Sequence, residues 1–155
     1  MKQRGRVVIA VTIAAIGIAA WPRHRAVGDS GASAALRLET PVPPPVMSTL
    51  QRACLDCHSD ATRWPWYAAL PGVSHLIARD VTEGRRQLNL SRWTQYNPFT
   101  RADLLDHMCD MATRGRMPPF PYRVVHRDAR MSQSDVAALC SWSRDEAARL
   151  VQEEK

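Results

Sequence analysis

The 155-residue sequence contains no sustained apolar–polar alternation, so it offers no strand pattern and no βαβ unit. A Gly-rich phosphate loop and a Ser-His-Asp set are both missing, which removes the usual nucleotide-binding and hydrolase readings. No run of Lys or Arg with interleaved aromatics stands out, despite a formal net charge of +6. Six of the 21 basic residues (Lys2, Arg4, Arg6, Arg23, Arg25 and Arg37) precede residue 46, and Lys155 closes the chain. That leaves 14 Arg against 11 Asp and Glu in residues 46–150, a mixed solvated surface from which no nucleic-acid partner is expected. A modestly basic face of this kind suits the steering of an acidic protein partner. No internal repeat is visible.

The uncharged run from Val7 to Trp21 is shorter than the roughly 20 apolar residues that a spanning helix prefers. Lys2, Arg4 and Arg6 precede it and Pro22-Arg23-His24-Arg25 ends it, as in a secretory leader. Ile18-Ala19-Ala20 is an imperfect cleavage site and Ala32-Ser33-Ala34 lies far downstream. Residues 1–21 therefore read as a signal peptide or a retained N-terminal anchor. The expected location is the periplasmic side of a bacterial envelope, with the inner membrane as a partner if the segment is kept. Residues 22–45, with Gly28, Ser30, Gly31 and then Pro41 and Pro43-Pro44-Pro45, read as a linker that stiffens toward its end. Residues 46–152 remain as one small domain.

That domain is expected to be all-α, with about four helices and long loops. Val46–Cys57 aligns Val46, Leu50, Ala53 and Cys57, and Pro71–Gln87 aligns Val73, Leu76, Ile77, Val81 and Arg85. Thr100-Arg101-Ala102-Asp103 resembles a capping box and leads into Leu104, Leu105, Met108 and Ala112, with Gly115 as a stop. Ser132-Gln133-Ser134-Asp135 repeats that start signal for a last helix running to about Val151.

Four cysteines are present, and two of them lie in Cys54-Leu55-Asp56-Cys57-His58. This is the C-x-x-C-H signal for covalent attachment of a c-type haem. Cys54 and Cys57 can each bond one porphyrin vinyl group, and His58 is then the proximal iron ligand. Two rivals are weak. A thiol–disulfide motif ordinarily accompanies a βαβ pattern, and a zinc site requires a second well-spaced Cys/His pair.

The opposite axial position has several candidates: Met47, Met108, Met111, Met117 and Met131, with His75, His107 and His126. Met117 is the most distinctive, because Pro118 pushes it toward an extended conformation. Pro118, Pro119 and Pro121 also stiffen its loop. Met108 and Met111 fall within an amphipathic helix, where packing is the usual role. His75 could approach the haem as an alternative ligand, His107 is expected to face solvent, and His126 is expected to bond a propionate or a loop carbonyl. A histidine ligand and an open iron stay as alternatives to Met117.

The run Cys57-His58-Ser59-Asp60-Ala61-Thr62-Arg63-Trp64-Pro65-Trp66-Tyr67 resembles the bacterial haem-binding domain family related to cytochrome c, whose pattern is C-x-x-C-H-S-N-x-T-x-W-P-W-Y. The resemblance continues through Val73-Ser74, Arg79-Asp80-Val81, Glu83-Gly84-Arg85 and Leu88-Asn89-Leu90-Ser91-Arg92-Trp93. It resumes at Met117-Pro118-Pro119, Tyr122, His126, Ala129 and Ser132. It implies an exported, mainly helical, monohaem domain with Cys54, Cys57, His58 and Met117 around the haem. Two positions depart from the pattern: His75 stands where Trp is favoured, and His126-Arg127 replaces a His-Pro pair.

Trp64, Trp66 and Trp93 are suited to cover a porphyrin, with core packing as the alternative for each. Arg63, Arg79 and Arg85 could meet propionates, though surface roles are commoner. Cys109 and Cys140 could pair in an oxidising compartment, but two separate buried thiols are expected. The leading functional expectation is electron transfer by one covalent haem c with His/Met ligation, to a transient redox protein partner. The alternative is a haem-based sensor, or a haem that reacts with gases or peroxide at an open distal site.

Overall fold

The computed structural model describes residues 42–153, and among them no strand occurs, in agreement with the all-α expectation. The expected leader or anchor at 1–21 and most of the linker lie outside the described residues. No described helix is long and apolar enough to cross a membrane.

Helix α1, Pro44–Ala53, starts two residues before Val46, because prolines at the first helical positions lack only an amide that the helix leaves unpaired anyway. It buries Val46, Thr49 and Leu50. The expected continuous helix to Cys57 is broken at Cys54, whose backbone leaves helical geometry at φ −125° and ψ −45°. Helix α2, Leu55–His58, is a single turn closed by Cys57 N–H and His58 N–H, both donating to the Cys54 carbonyl. A short 3-10 turn at Trp66–Ala69 follows.

Helix α3, Val73–Gln87, begins after Gly72, whose φ of +83° is open to glycine at no steric cost. Its apolar stripe buries only Val81, and Leu76 is half exposed. A second 3-10 segment, Leu90–Gln95, carries the buried Trp93 with Tyr96 edge-on beside it. Helix α4, Pro98–Thr113, starts earlier than the Thr100 signal suggests. Asn97 caps it by accepting from the Thr100 amide at 2.8 Å, and Pro98 fits the first turn. Gly115 stops it with φ +64°.

Helix α5, Phe120–Val125, is an element absent from the sequence reading. Its six residues are too few for a periodic pattern, and its prolines resembled a loop. Helix α6, Gln133–Glu153, begins as expected at Ser132 and packs along α4. Leu50, Leu55, Leu90, Trp93, Leu105, Leu139 and Leu150 form the centre of one core. The expectation of two separate thiols is corrected here: Cys109 and Cys140 are disulfide-bonded, because α4 and α6 approach to a Cα–Cα distance of 4.8 Å at that point.

Candidate functional site

The C-x-x-C-H turn is seated by its two middle residues. Leu55 is buried in the core, while Asp56 faces a polar cluster. Ser59, fully buried, donates to the Leu55 carbonyl at 2.7 Å, and Thr62 donates to the Asp56 carbonyl at 2.6 Å. Arg85 of α3 then clasps the chain after His58, donating to the Ser59 carbonyl at 2.8 Å and to Thr62 Oγ1 at 2.9 Å. Arg85 thus braces the loop that follows His58. Arg63 bonds Asp56 and the Gln51 carbonyl, and exposed Arg79 lies 3.7 Å from Asp80.

Gly84 lets α3 lie directly on the turn. A Cβ there would stand 2.9 Å from the Cys57 carbonyl oxygen and 3.1 Å from the Cys57 Cβ. Just beyond, Leu88 presents its carbonyl oxygen 3.0 Å from His58 Nδ1. Only a protonated Nδ1 can satisfy that acceptor, so the neutral ring keeps its lone pair on Nε2. Burial lowers the His58 pKa, opposed in part by the Leu88 carbonyl, and so favours the neutral ligating form. Leu88 was visible in the sequence only as part of the family resemblance, and its contact to His58 was not foreseen, since every residue type supplies a carbonyl.

Cys54 and Cys57 are unpaired thiols. Burial pushes Cys54 up to about 12 and Cys57 up to about 11, the latter with help from the negative charges of Asp56 and Asp80. An attacking cysteine in a thiol–disulfide oxidoreductase needs the opposite shift, so the redox-motif reading loses further ground.

The apolar residues expected at the cofactor divide clearly. Trp93 is core, whereas Trp64 is 40% exposed and Trp66 is 72% exposed, with its ring edge-on to Tyr67. Leu76, Phe120 and Met117 are exposed as well, Met117 at 36%. Met117 lies between α4 and α5, its amide donating to the Met111 carbonyl at 3.2 Å. Met47, Met108 and Met131 instead pack against the core. His75 and His107 are exposed. The His126 Nε2 is hydrogen-bonded to the Tyr67 hydroxyl, and its ring stacks on Tyr122 at 4.2 Å.

The Tyr122 hydroxyl donates to Asp56 at 2.7 Å. Burial, and the Asp56 charge beside it, push this phenol well above its ordinary range, which keeps it a donor. Tyr122 was visible in the sequence only as part of the family resemblance, and its bond to the C-x-x-C-H turn was not foreseen.

The residues fit a haem: two neighbouring thiols, an imidazole with its outer nitrogen fixed and its inner one free, and exposed aromatic and aliphatic groups on the elements packed around them. No curated protein and no solved structure matches the chain. The haem-binding domain family model matches residues 12–145, and the chain belongs to that family.

Proposed function

We propose that this haem-binding protein is an exported monohaem cytochrome of the c type that carries single electrons. Cys54 and Cys57 would hold the haem by thioether bonds, with His58 as proximal ligand and Met117 as distal ligand. The observation that carries the reading is the His58 Nδ1 contact to the Leu88 carbonyl beside two unpaired thiols. It resembles the outer-shell contact by which a protein orients a metal-ligating histidine. Haem bound there would supply a one-electron Fe(III)/Fe(II) couple, and a thioether opposite the imidazole raises its potential.

The chain's own residues divide the remaining work. Leu55 fixes the attachment turn in the core, Arg85 braces the strand of chain behind it, and Leu88 orients the imidazole. Trp64 and Trp66 offer planar groups to shield a porphyrin. Met117 is favoured among the methionines because Met47, Met108 and Met131 pack against the core and Met111 lies within α4, whereas Met117 is exposed in the proline-rich segment after it. The Cys109–Cys140 disulfide supports an oxidising compartment and hence export to the periplasmic side. A transient redox protein would then be the partner, and a retained residue 1–21 segment would hold the domain at the inner membrane.

Haem staining after denaturing electrophoresis tests the attachment. The stain should stay with the wild-type polypeptide and vanish in Cys54→Ser/Cys57→Ser; haem extracted from wild type by acidic acetone would overturn it. Met117→Ala should abolish the methionine–Fe(III) charge-transfer band. Rapid carbon monoxide binding by reduced wild-type protein, with no such band, would replace electron transfer by the open-site sensor reading.

A further inference from the structure

The segment that bears Met117 is fastened at both ends, and the two fastenings differ in kind. On the upstream side the Arg116 and Met117 amides both donate to the Met111 carbonyl, at 3.0 and 3.2 Å, at the end of α4. Helix α4 is itself joined to α6 by the Cys109–Cys140 disulfide. On the downstream side Pro118, Pro119 and Pro121 limit the backbone freedom between Met117 and Tyr122. The Tyr122 hydroxyl then bonds Asp56, which stands two residues before His58. One hydrogen bond therefore joins the arm carrying the distal candidate to the turn carrying the proximal one.

Its surroundings strengthen it. The Asp56 side chain is only 13% exposed, and its other partners are Arg63 Nε at 3.0 Å and the Arg63 amide at 3.3 Å. A neutral phenol donating to a mostly buried carboxylate is a charge-assisted bond. The Tyr122 ring is held flat against His126, with 17° between the planes, and His126 is in turn hydrogen-bonded to Tyr67 on the turn after Trp66. Three segments meet there: the attachment turn, the 66–69 turn and helix α5.

We propose that Tyr122 is a positioning residue for distal ligation, latching the Met117 arm to the haem-attachment turn through Asp56, with the Tyr67–His126 pair as a secondary latch. This inference rests on Met117 being the distal ligand. Tyr122 does not touch the iron. It limits how far the methionine arm can swing away from the His58 side, so its loss raises the population of a methionine-off state.

The test uses haem-loaded protein with the full chain. Removing one charge-assisted hydrogen bond should raise the methionine-off population about 10-fold or more. Tyr122→Phe should therefore bind carbon monoxide about 10-fold faster in the reduced state and show a weakened methionine–Fe(III) band, with covalent haem and helical circular dichroism retained. Tyr67→Phe, which loses the bond to His126 and leaves the Tyr122–Asp56 bond in place, should show a rise of about 5-fold. It decides the matter if Tyr122→Phe does not fold. Wild-type band intensity and carbon monoxide rate in the phenylalanine variants, alongside loss of the band in Met117→Ala, would overturn the latch and leave Met117 in place. A band that survives Met117→Ala would instead remove Met117 itself.

Discussion

Gly84 is the residue at which helix α3 meets the C-x-x-C-H turn, and it is glycine for want of space rather than for any unusual dihedral angle. Alanine is the better helix former by about 1 kcal/mol, so propensity alone would favour its substitution. Its Cβ would stand 2.9 Å from the backbone oxygen of Cys57, a contact that no side-chain rotation can relieve. Overpacking against a fixed backbone costs about 1–3 kcal/mol, and it wins. Gly84→Ala should therefore lower the denaturant midpoint of the protein and the fraction of chains that stain for haem. An unchanged midpoint would show that α3 can retreat freely. Residues of this kind explain what the sequence concealed. Cys54, Cys57 and His58 stood out as candidates because they fall within five consecutive residues as C-x-x-C-H. The need for Gly84 arises only once α3 is laid on Cys57, 27 positions away in the chain.

At the scale of elements, starts were easier to read than interiors. The capping box of α6 is as its four residues implied: the Ser132 amide donates to Asp135 Oδ2 at 2.8 Å, and the Asp135 amide donates to Ser132 Oγ at 3.1 Å. The similar signal at Thr100 lost to Asn97-Pro98, a better cap with a better first-turn residue placed a few positions earlier. Helix α5 was missed because six residues show no period. The break at Cys54 was missed because Cys57 continues the apolar face that α1 begins.

Asp135 also bonds Arg52 of α1 at 2.7 Å, so the cap ties the two ends of the domain together. Hydrogen bonds from the Ser132 backbone, then from the Ser132 and Arg52 side chains, hold its carboxyl down at about 2. A depressed carboxyl stabilises the fold above its unfolded pKa of about 4, and that contribution fades as the pH falls toward 2. Asp135→Ala should cost about 1 kcal/mol at neutral pH and flatten this acid limb. Denaturant midpoints measured across the pH range check both; a variant with an acid limb as steep as wild type would place the effect elsewhere.

The molecule as a whole is divided between a clasped pair of long helices and a site where the end of α3 meets several short elements. Helices α4 and α6 carry the most extensive packing and the disulfide, whereas the C-x-x-C-H turn, the 66–69 turn and α5 are each a few residues long. The all-α class was legible from periodicity; the pairing of Cys109 with Cys140 was not, since only the approach of α4 to α6 brings them within reach. Closing a loop over a sequence separation of 31 restricts the unfolded chain by about 3–4 kcal/mol. Cys109→Ser/Cys140→Ser should lower the thermal midpoint by roughly 10–20 °C while the haem stain persists. A midpoint within a few degrees of wild type would show that helix packing alone suffices.

The carbonyl that meets His58 belongs to the main chain, so no exchange of the Leu88 side chain can delete it. The imidazole is thereby shielded from point mutation at its own partner. Its vulnerability moves to events that shift the backbone at the end of α3, such as an insertion, a deletion or a new proline. A lineage could replace nearly every side chain around His58 and still inherit this contact.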